Sequence, residues 1–112
     1  MASNIFIADT EAAAAFLTLM GNEKRLAILS HLLDDELSVG TIAERISLSQ
    51  SALSQHLAKL RSFGLVETRR DRQMIYYSCR SEAVRQLLDM LAERFCETAR
   101  TEQQHYLHPT GT

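Results

Sequence analysis

Apolar residues recur at helical spacing along most of this chain, with one stretch of different character near its middle. The first run, "EAAAAFLTLM", follows Thr10 as a candidate N-cap and ends at Gly21. Asn22 can cap the next, "EKRLAILSHLL", whose apolar face is Leu26, Ile28, Leu29, Leu32 and Leu33, and the acidic "DDE" at 34–36 closes it. Ser38 then caps a short helix through Ile46, and Ser49 caps another that Gly64 stops with left-handed geometry. From Leu65 to Cys79 the pattern changes to two runs rich in β-formers around the polar tip "RRDRQ", which predicts a hairpin. Ser81 caps a last long helix, about 81–104, with Val84, Leu87, Leu88, Leu91 and Phe95 on one side, fraying before Pro109.

Two of these helices stand out by their connection. The segments 38–46 and 49–63 are joined only by Ser47-Leu48, so they must cross sharply and pack through Val39, Ile42, Ile46, Leu53 and Leu57. That is a helix-turn-helix over about 38–63, and the hairpin at about 65–79 behind it makes the unit a winged helix. The expected fold is therefore mainly α with a small β-hairpin, in the order helix, helix, helix, helix, hairpin, helix, as one domain spanning 1–112.

The polar side of the 49–63 helix is unusual. Leu53, Leu57 and Leu60 share its apolar face, while Gln50, Ser51, Ser54, Gln55 and Ala58 lie opposite, with Arg61 and Ser62 at the lower end. Solvated helical faces are normally filled with Glu and Lys, which pair at i,i+4 and favour helix, whereas serine does neither. Short neutral groups make sense where a backbone must come close to base edges, since Gln can pair bidentately with adenine and Ser can donate or accept. Ser49 and the open N–H groups of the first turn suit a phosphate. His56 falls at the buried edge of this wheel and reads better as a packed histidine than as a DNA contact.

Charge sharpens this reading. The net charge is −2, yet residues 38–80 hold seven Lys and Arg against three Asp and Glu, and the remainder is acidic. The basic middle includes Lys59, Arg61 and the hairpin tip with Arg69, Arg70, Arg72 and Gln73. Expected base readers are Gln50, Ser51, Ser54 and Gln55. Lys59, Arg61, Arg69, Arg70 and Arg72 are expected on phosphates or in the minor groove, on double-stranded DNA.

With 46% hydrophobic and 23% charged residues, the chain reads as one small soluble domain that a partner subunit would help to cover. No run approaches the roughly 18 apolar residues of a membrane span. The N-terminus lacks the pattern of a signal peptide. Two cysteines, Cys79 and Cys96, give no disulfide framework, so a cytoplasmic, nucleoid-associated protein is expected.

The segment "NEKRLAILSHLLDDELSVGTIAERISLSQSALSQHLAKLRSFGLVETRRDRQMIYYS" resembles the ArsR/SmtB family of bacterial winged-helix repressors. "ELSVG", "LSQSALSQHL" and "GLVETRR" look most like its HlyU/NolR-like branch, which lacks the metal-site cysteines. The resemblance implies a homodimer joined by the first and last helices that reads an imperfect palindrome and is released by an inducer. The sequence does not identify that inducer. Dimer contacts are then expected from Phe16, Leu17, Met20, Leu87, Leu91 and Phe95.

Departures from the family pattern bear on the signal. Metal sensors of the family carry E-L-C-V-C-D-L where this chain has Glu36-Leu37-Ser38-Val39-Gly40-Thr41-Ile42, so the thiolates a soft metal needs are absent. Their second site uses Asp-x-His, against Asp89-Met90-Leu91 here. His105 and His108 form an H-x-x-H, but in a polar tail such a pair more often binds nothing, and no metal or cofactor is expected. A thiol-based branch pairs a cysteine of the second helix with one of the last. Cys96 matches the latter and Ser30 occupies the former, so that disulfide is unavailable while a residual oxidation response of Cys96 stays open. Both cysteines read better as small buried hydrophobes.

Enzyme signatures are missing: there is no glycine-rich phosphate loop, no H-E-x-x-H and no nucleophile elbow. The rival reading is a winged helix used only for protein interaction or dimerisation. The basic wing and the Ser/Gln face argue against it, since protein-binding faces usually carry aromatic anchors. The expectation is a sequence-specific transcriptional regulator, a repressor, acting as a homodimer.

Overall fold

The computed structural model describes residues 5–96. Its elements are α1 (Thr10–Met20), α2 (Glu23–Leu32), β1 (Leu37–Ser38), α3 (Val39–Ile46), α4 (Gln50–Ser62), β2 (Glu67–Asp71), β3 (Met74–Ser78) and α5 (Glu82–Arg94). The winged helix-turn-helix expected from the sequence is therefore present. No described helix is long and apolar enough to cross a membrane.

Side-chain caps decide where most of these helices begin. Asn22, Ser38, Ser49 and Ser81 each accept a hydrogen bond from the backbone N–H three residues on, satisfying a donor that the helix itself leaves open. At α1 the expectation is corrected: Asp9, not Thr10, is the cap, its Oδ1 accepting from the Ala12 N–H at 2.9 Å, and Thr10 is already helical. A carboxylate is the better cap because it also meets the positive end of the helix dipole.

Between α3 and α4 the chain turns through Ser47 in the left-handed region, at φ 54. The N–H groups of Ser47 and Leu48 both reach the Ala43 carbonyl, closing the turn tightly enough to force the two helices across each other. Their crossing buries Ile42, Ile46, Leu53, Leu57 and Leu60 in one core with Ile28, Leu29, Leu32, Val66 and Val84. Leu53 and Leu60 are fully excluded from solvent, so α4 is held by its apolar side and presents the other. Gly64, at φ 74, ends the helical region as expected.

The hairpin is part of a larger sheet than the sequence predicts. β1 pairs antiparallel with β3, giving a three-stranded sheet in the order β1-β3-β2. Two residues carry no legible strand pattern, and their pairing with Tyr76 and Tyr77 is a long-range contact. At the hairpin tip Arg72 takes φ 62, a conformation in which a side chain is strained. The Cys79 N–H bonds the Leu32 carbonyl at 3.0 Å, fixing the exit of the wing to the end of α2. Arg85 does the same for α5, donating from Nη2 to the Leu33 carbonyl and to Asp34.

One further expectation is corrected: Met20 is 3% exposed within the protomer's own core and so offers a partner almost no surface. Among the described residues the last helix ends at Arg94. The stretch expected to carry it to about 104, like His105 and His108, lies outside the described residues.

Candidate nucleic-acid interface

Helix α4 carries its polar residues as one open surface. Ser49, Gln50, Ser51, Ser54, Gln55, Ala58, Lys59, Arg61 and Ser62 are all exposed, and Leu53, Leu57 and Leu60 are all buried. Ser49 bonds the Ala52 N–H at 3.2 Å and lies 3.4 Å from the Ser51 hydroxyl, which keeps both hydroxyls at the N-terminal rim. The side chains of Gln50, Ser54 and Gln55 hydrogen-bond to no other described residue. Their donors and acceptors are left to whatever approaches the helix.

Beside α4 stands the wing. In an antiparallel pair, residues directly opposite share a face, and faces alternate along each strand. The register Thr68↔Tyr77, Arg69↔Tyr76, Arg70↔Ile75 therefore puts Arg70 on one face with Thr68, Ile75 and Tyr77, and Arg69 on the other. Tyr77 lines a shallow groove with Ser54, Ala58, Arg61 and Ser62 of α4. Arg70 thus lies on the face of the wing that continues the polar side of α4, with Arg72 and Gln73 exposed at the tip.

Arg69 is placed differently from the phosphate contact expected of it. Its guanidinium is engaged with Glu36 and lies 5.0 Å from the centre of the Tyr76 ring. The hydrogen bond and charge of Arg69 hold the Glu36 carboxyl below its ordinary value. Strand alternation, legible in "ETRRD", already implies that two adjacent arginines cannot face the same way.

His56 joins the far side of α4 to the other helices. Its Nδ1 accepts from Arg25 Nε at 3.3 Å, and Arg25 also donates from Nη1 to the Leu19 carbonyl. The imidazole is half-buried, as the sequence suggests, but it is hydrogen-bonded to a charged group to which the sequence alone does not point. Desolvation and then the Arg25 charge lower its pKa. The unfolded chain therefore binds the proton at higher pH than the fold does, so this contribution to stability is present above about pH 6.5 and lost as the pH falls through the lower folded value. His56→Gln, which offers Arg25 an uncharged acceptor, is expected to flatten the acid-side loss in thermal melts. Equal pH slopes for variant and wild type would contradict this role.

The cysteines sit apart from this surface. Cys79 is buried, and burial pushes its thiol up, which disfavours the reactive thiolate. Cys96 is half-buried just past α5. Ser30, on α2, donates its hydroxyl to the Leu26 carbonyl. Among the described residues no group of three or more His, Cys, Asp and Glu is placed to hold a metal ion.

Known proteins similar to this chain include bacterial regulators. The pattern of the family described as "Bacterial regulatory protein, arsR family" matches residues 22–68. The nodulation protein NolR of Rhizobium meliloti is 55% identical over 85 residues, 76% of this chain and 70% of its own. The transcriptional activator HlyU of Vibrio cholerae is 49% identical over 76% of this chain and 79% of its own. Among solved structures, NolR from Sinorhizobium fredii superposes with a TM-score of 0.73 at 48% identity, covering 81% of this chain and 95% of that one. The repressor BigR from Xylella fastidiosa does so with a TM-score of 0.74 at 34% identity, covering 79% and 90%. Such proteins are transcription regulators rather than enzymes. An exposed Ser/Gln helix, a basic wing and these relatives agree: the chain belongs to the ArsR family of bacterial regulatory proteins and is a DNA-binding transcription regulator with a winged helix-turn-helix fold.

Proposed function

We propose that the protein is a homodimeric repressor that reads a pseudo-palindromic operator in the cytoplasm, with one α4 in each of two successive major grooves about 34 Å apart. The observation that carries this reading is the α4 surface, where groups able to read bases stand open on a helix whose other side is locked into the core. Gln50, Ser51, Ser54 and Gln55 read base edges. Ser49, Lys59, Arg61, Arg70, Arg72 and Gln73 meet the backbone, the wing tip lying along the minor groove. Dimerisation is supported by apolar surface that a single chain leaves open: Leu17 is 58% and Phe95 43% exposed. A groove between α2 and α5, lined by Leu26, Leu33, Leu88, Leu91 and Phe95, is open as well. Phe16 and Leu87 are half-buried beside these surfaces and complete the interface.

The test is selection of a duplex from a random-sequence pool, followed by binding titrations on the selected and a scrambled duplex. Gln50→Ala and Gln55→Ala are each expected to cost roughly 1–3 kcal/mol on the selected duplex and little on the scrambled one. Equal losses on both would show that these side chains are not readers. Failure to enrich any sequence would favour an interaction module instead. Arg70→Ala with Arg72→Ala is expected to weaken binding to both duplexes while leaving the dimer intact. The slope of log affinity against log salt should flatten by roughly 0.9 for each phosphate that is no longer neutralised, and so by about twice that per arginine in the dimer. An unchanged slope would place the wing clear of DNA.

A further inference from the structure

We propose that Arg69 is a positioning residue of the wing rather than a DNA contact: held by Glu36 across the sheet, it fixes the orientation in which Arg70 and Arg72 meet the backbone. This rests on the DNA-binding reading above and assigns one wing arginine a different job within it.

The geometry sets Arg69 apart from its neighbours. Nε lies 3.0 and 2.9 Å from the two Glu36 carboxylate oxygens, and Nη2 lies 2.8 Å from Oε1. This forked contact uses the planarity of guanidinium and carboxylate together, and it fixes direction as well as distance. Tyr76 lies beneath the guanidinium, directly opposite Arg69 in the ladder. Arg69 is on β2, Tyr76 on the central strand β3, and Glu36 immediately precedes β1. The side chain thus reaches from one edge of the sheet to the other. β1 in turn ends in Ser38, the cap of α3. Beside the backbone pairing of β1 with β3, this side chain therefore adds a second link between the hairpin and the segment that leads into α3, on the face turned away from α4.

Exposure tells what the pair is for. Both side chains are substantially open, 54% for Arg69 and 34% for Glu36, and exposed ion pairs add little to stability. Backbone pairing with β1 holds β3 at the base of the hairpin, but β2 pairs with β3 alone, so what the Arg69–Glu36 contact adds is a fixed direction between the two outer strands. Neither Arg70 nor Arg72 makes an ion pair among the described residues. Glu36 would be a poor neighbour for DNA if it were a bystander, since it brings a negative charge to the edge of a phosphate-binding surface. Paired with Arg69 it is neutralised there.

Charge makes the experiment decisive, because the two readings differ in sign. Glu36→Gln removes a negative charge, so a bystander carboxylate predicts equal or tighter binding. Positioning predicts binding to the selected duplex weakened by roughly tenfold, a typical size for a coupling acting at a distance. Anisotropy titrations over a salt series should compare Glu36→Gln, Arg69→Gln and the exchanged pair Glu36→Arg with Arg69→Glu. Circular dichroism melts should show all three folded, with transitions near that of the wild type. The exchanged pair restores the cross-sheet link and is expected to recover most of the affinity that Arg69→Gln forfeits. Unimpaired binding by Glu36→Gln overturns the proposal, as does an exchanged pair no better than Arg69→Gln, which would mean that the guanidinium itself is needed at 69. The Arg70→Ala, Arg72→Ala variant in the same titration separates the two levels. If it binds like the wild type, the wing reading itself has failed and Arg69 has nothing to position.

Discussion

A Leu17→Asp variant is expected to sediment as a monomer at micromolar concentration and to bind the selected duplex roughly 10²- to 10⁴-fold more weakly than the wild type. Leu17 is well exposed in the single chain, so an aspartate there is solvated and the protomer should fold. In a dimer formed through α1 and α5 the same carboxylate would be buried without a partner, at a cost that outweighs the packing it interrupts. The weaker binding follows from geometry. In the proposed dimer, two α4 helices on one rigid body would make the second half-site encounter intramolecular, and a monomer would forfeit that effective concentration although its own α4 would still fit a half-site. Leu91→Asp should give a monomer too, but Leu91 also packs against the protomer's core, so unfolding would confound it. A Leu17→Asp protein that remains dimeric in the ultracentrifuge would remove α1 from the interface.

Leu53→Ala is expected to destabilise the protein by about 2–5 kcal/mol, against a total of about 5–15 kcal/mol for a domain of ordinary stability. Leu53 is 0% exposed and sits where α3 and α4 cross. Truncation would leave a cavity between helices whose connection, pinned on the Ala43 carbonyl, cannot relax to fill it. The neighbouring residue gives the contrast. Ser54→Ala lies on the exposed face and should move stability by no more than about 0.5 kcal/mol, while altering sequence preference on DNA. Urea titrations of the two variants, with binding measured under native conditions, would show stability and recognition separating between adjacent residues. Similar stability for both would mean that the α3–α4 crossing is not the seat of the core.

Much of the fold is legible in the sequence because it is local. Caps at Asn22, Ser38, Ser49 and Ser81 are decided within one turn of helix, and the apolar spacing of Leu53, Leu57 and Leu60 already states which side of α4 is buried. Asp9 escapes such a reading because Thr10 is also a competent cap and spacing alone does not choose between neighbours. What stays hidden depends on residues distant in sequence. β1 exists because Leu37 and Ser38 find β3 some forty residues later, and nothing in two residues announces a strand. Glu36 reads as part of an acidic helix end until Arg69 is brought against it. Met20 and Leu17 fall on the same apolar helix, and only the packed structure shows Met20 committed to the protomer and Leu17 left over. Of the residues proposed to face DNA, those of α4 can be read from one wheel, while the wing needs its strand register to place Arg69 and Arg70 on opposite faces.

The conformation of Arg72 has a practical consequence for anyone engineering this protein. A left-handed backbone at a hairpin tip is relaxed in Gly or Asn and costs an arginine on the order of 1 kcal/mol. Variants chosen from a library purely for heat resistance would therefore drift toward Gly or Asn at 72, and each such gain would remove a cation from the tip of the wing. With the wing tip on DNA as proposed, thermostability and operator affinity would fall out of step at this one residue, and a screen that reports only soluble yield would reward the weaker binder.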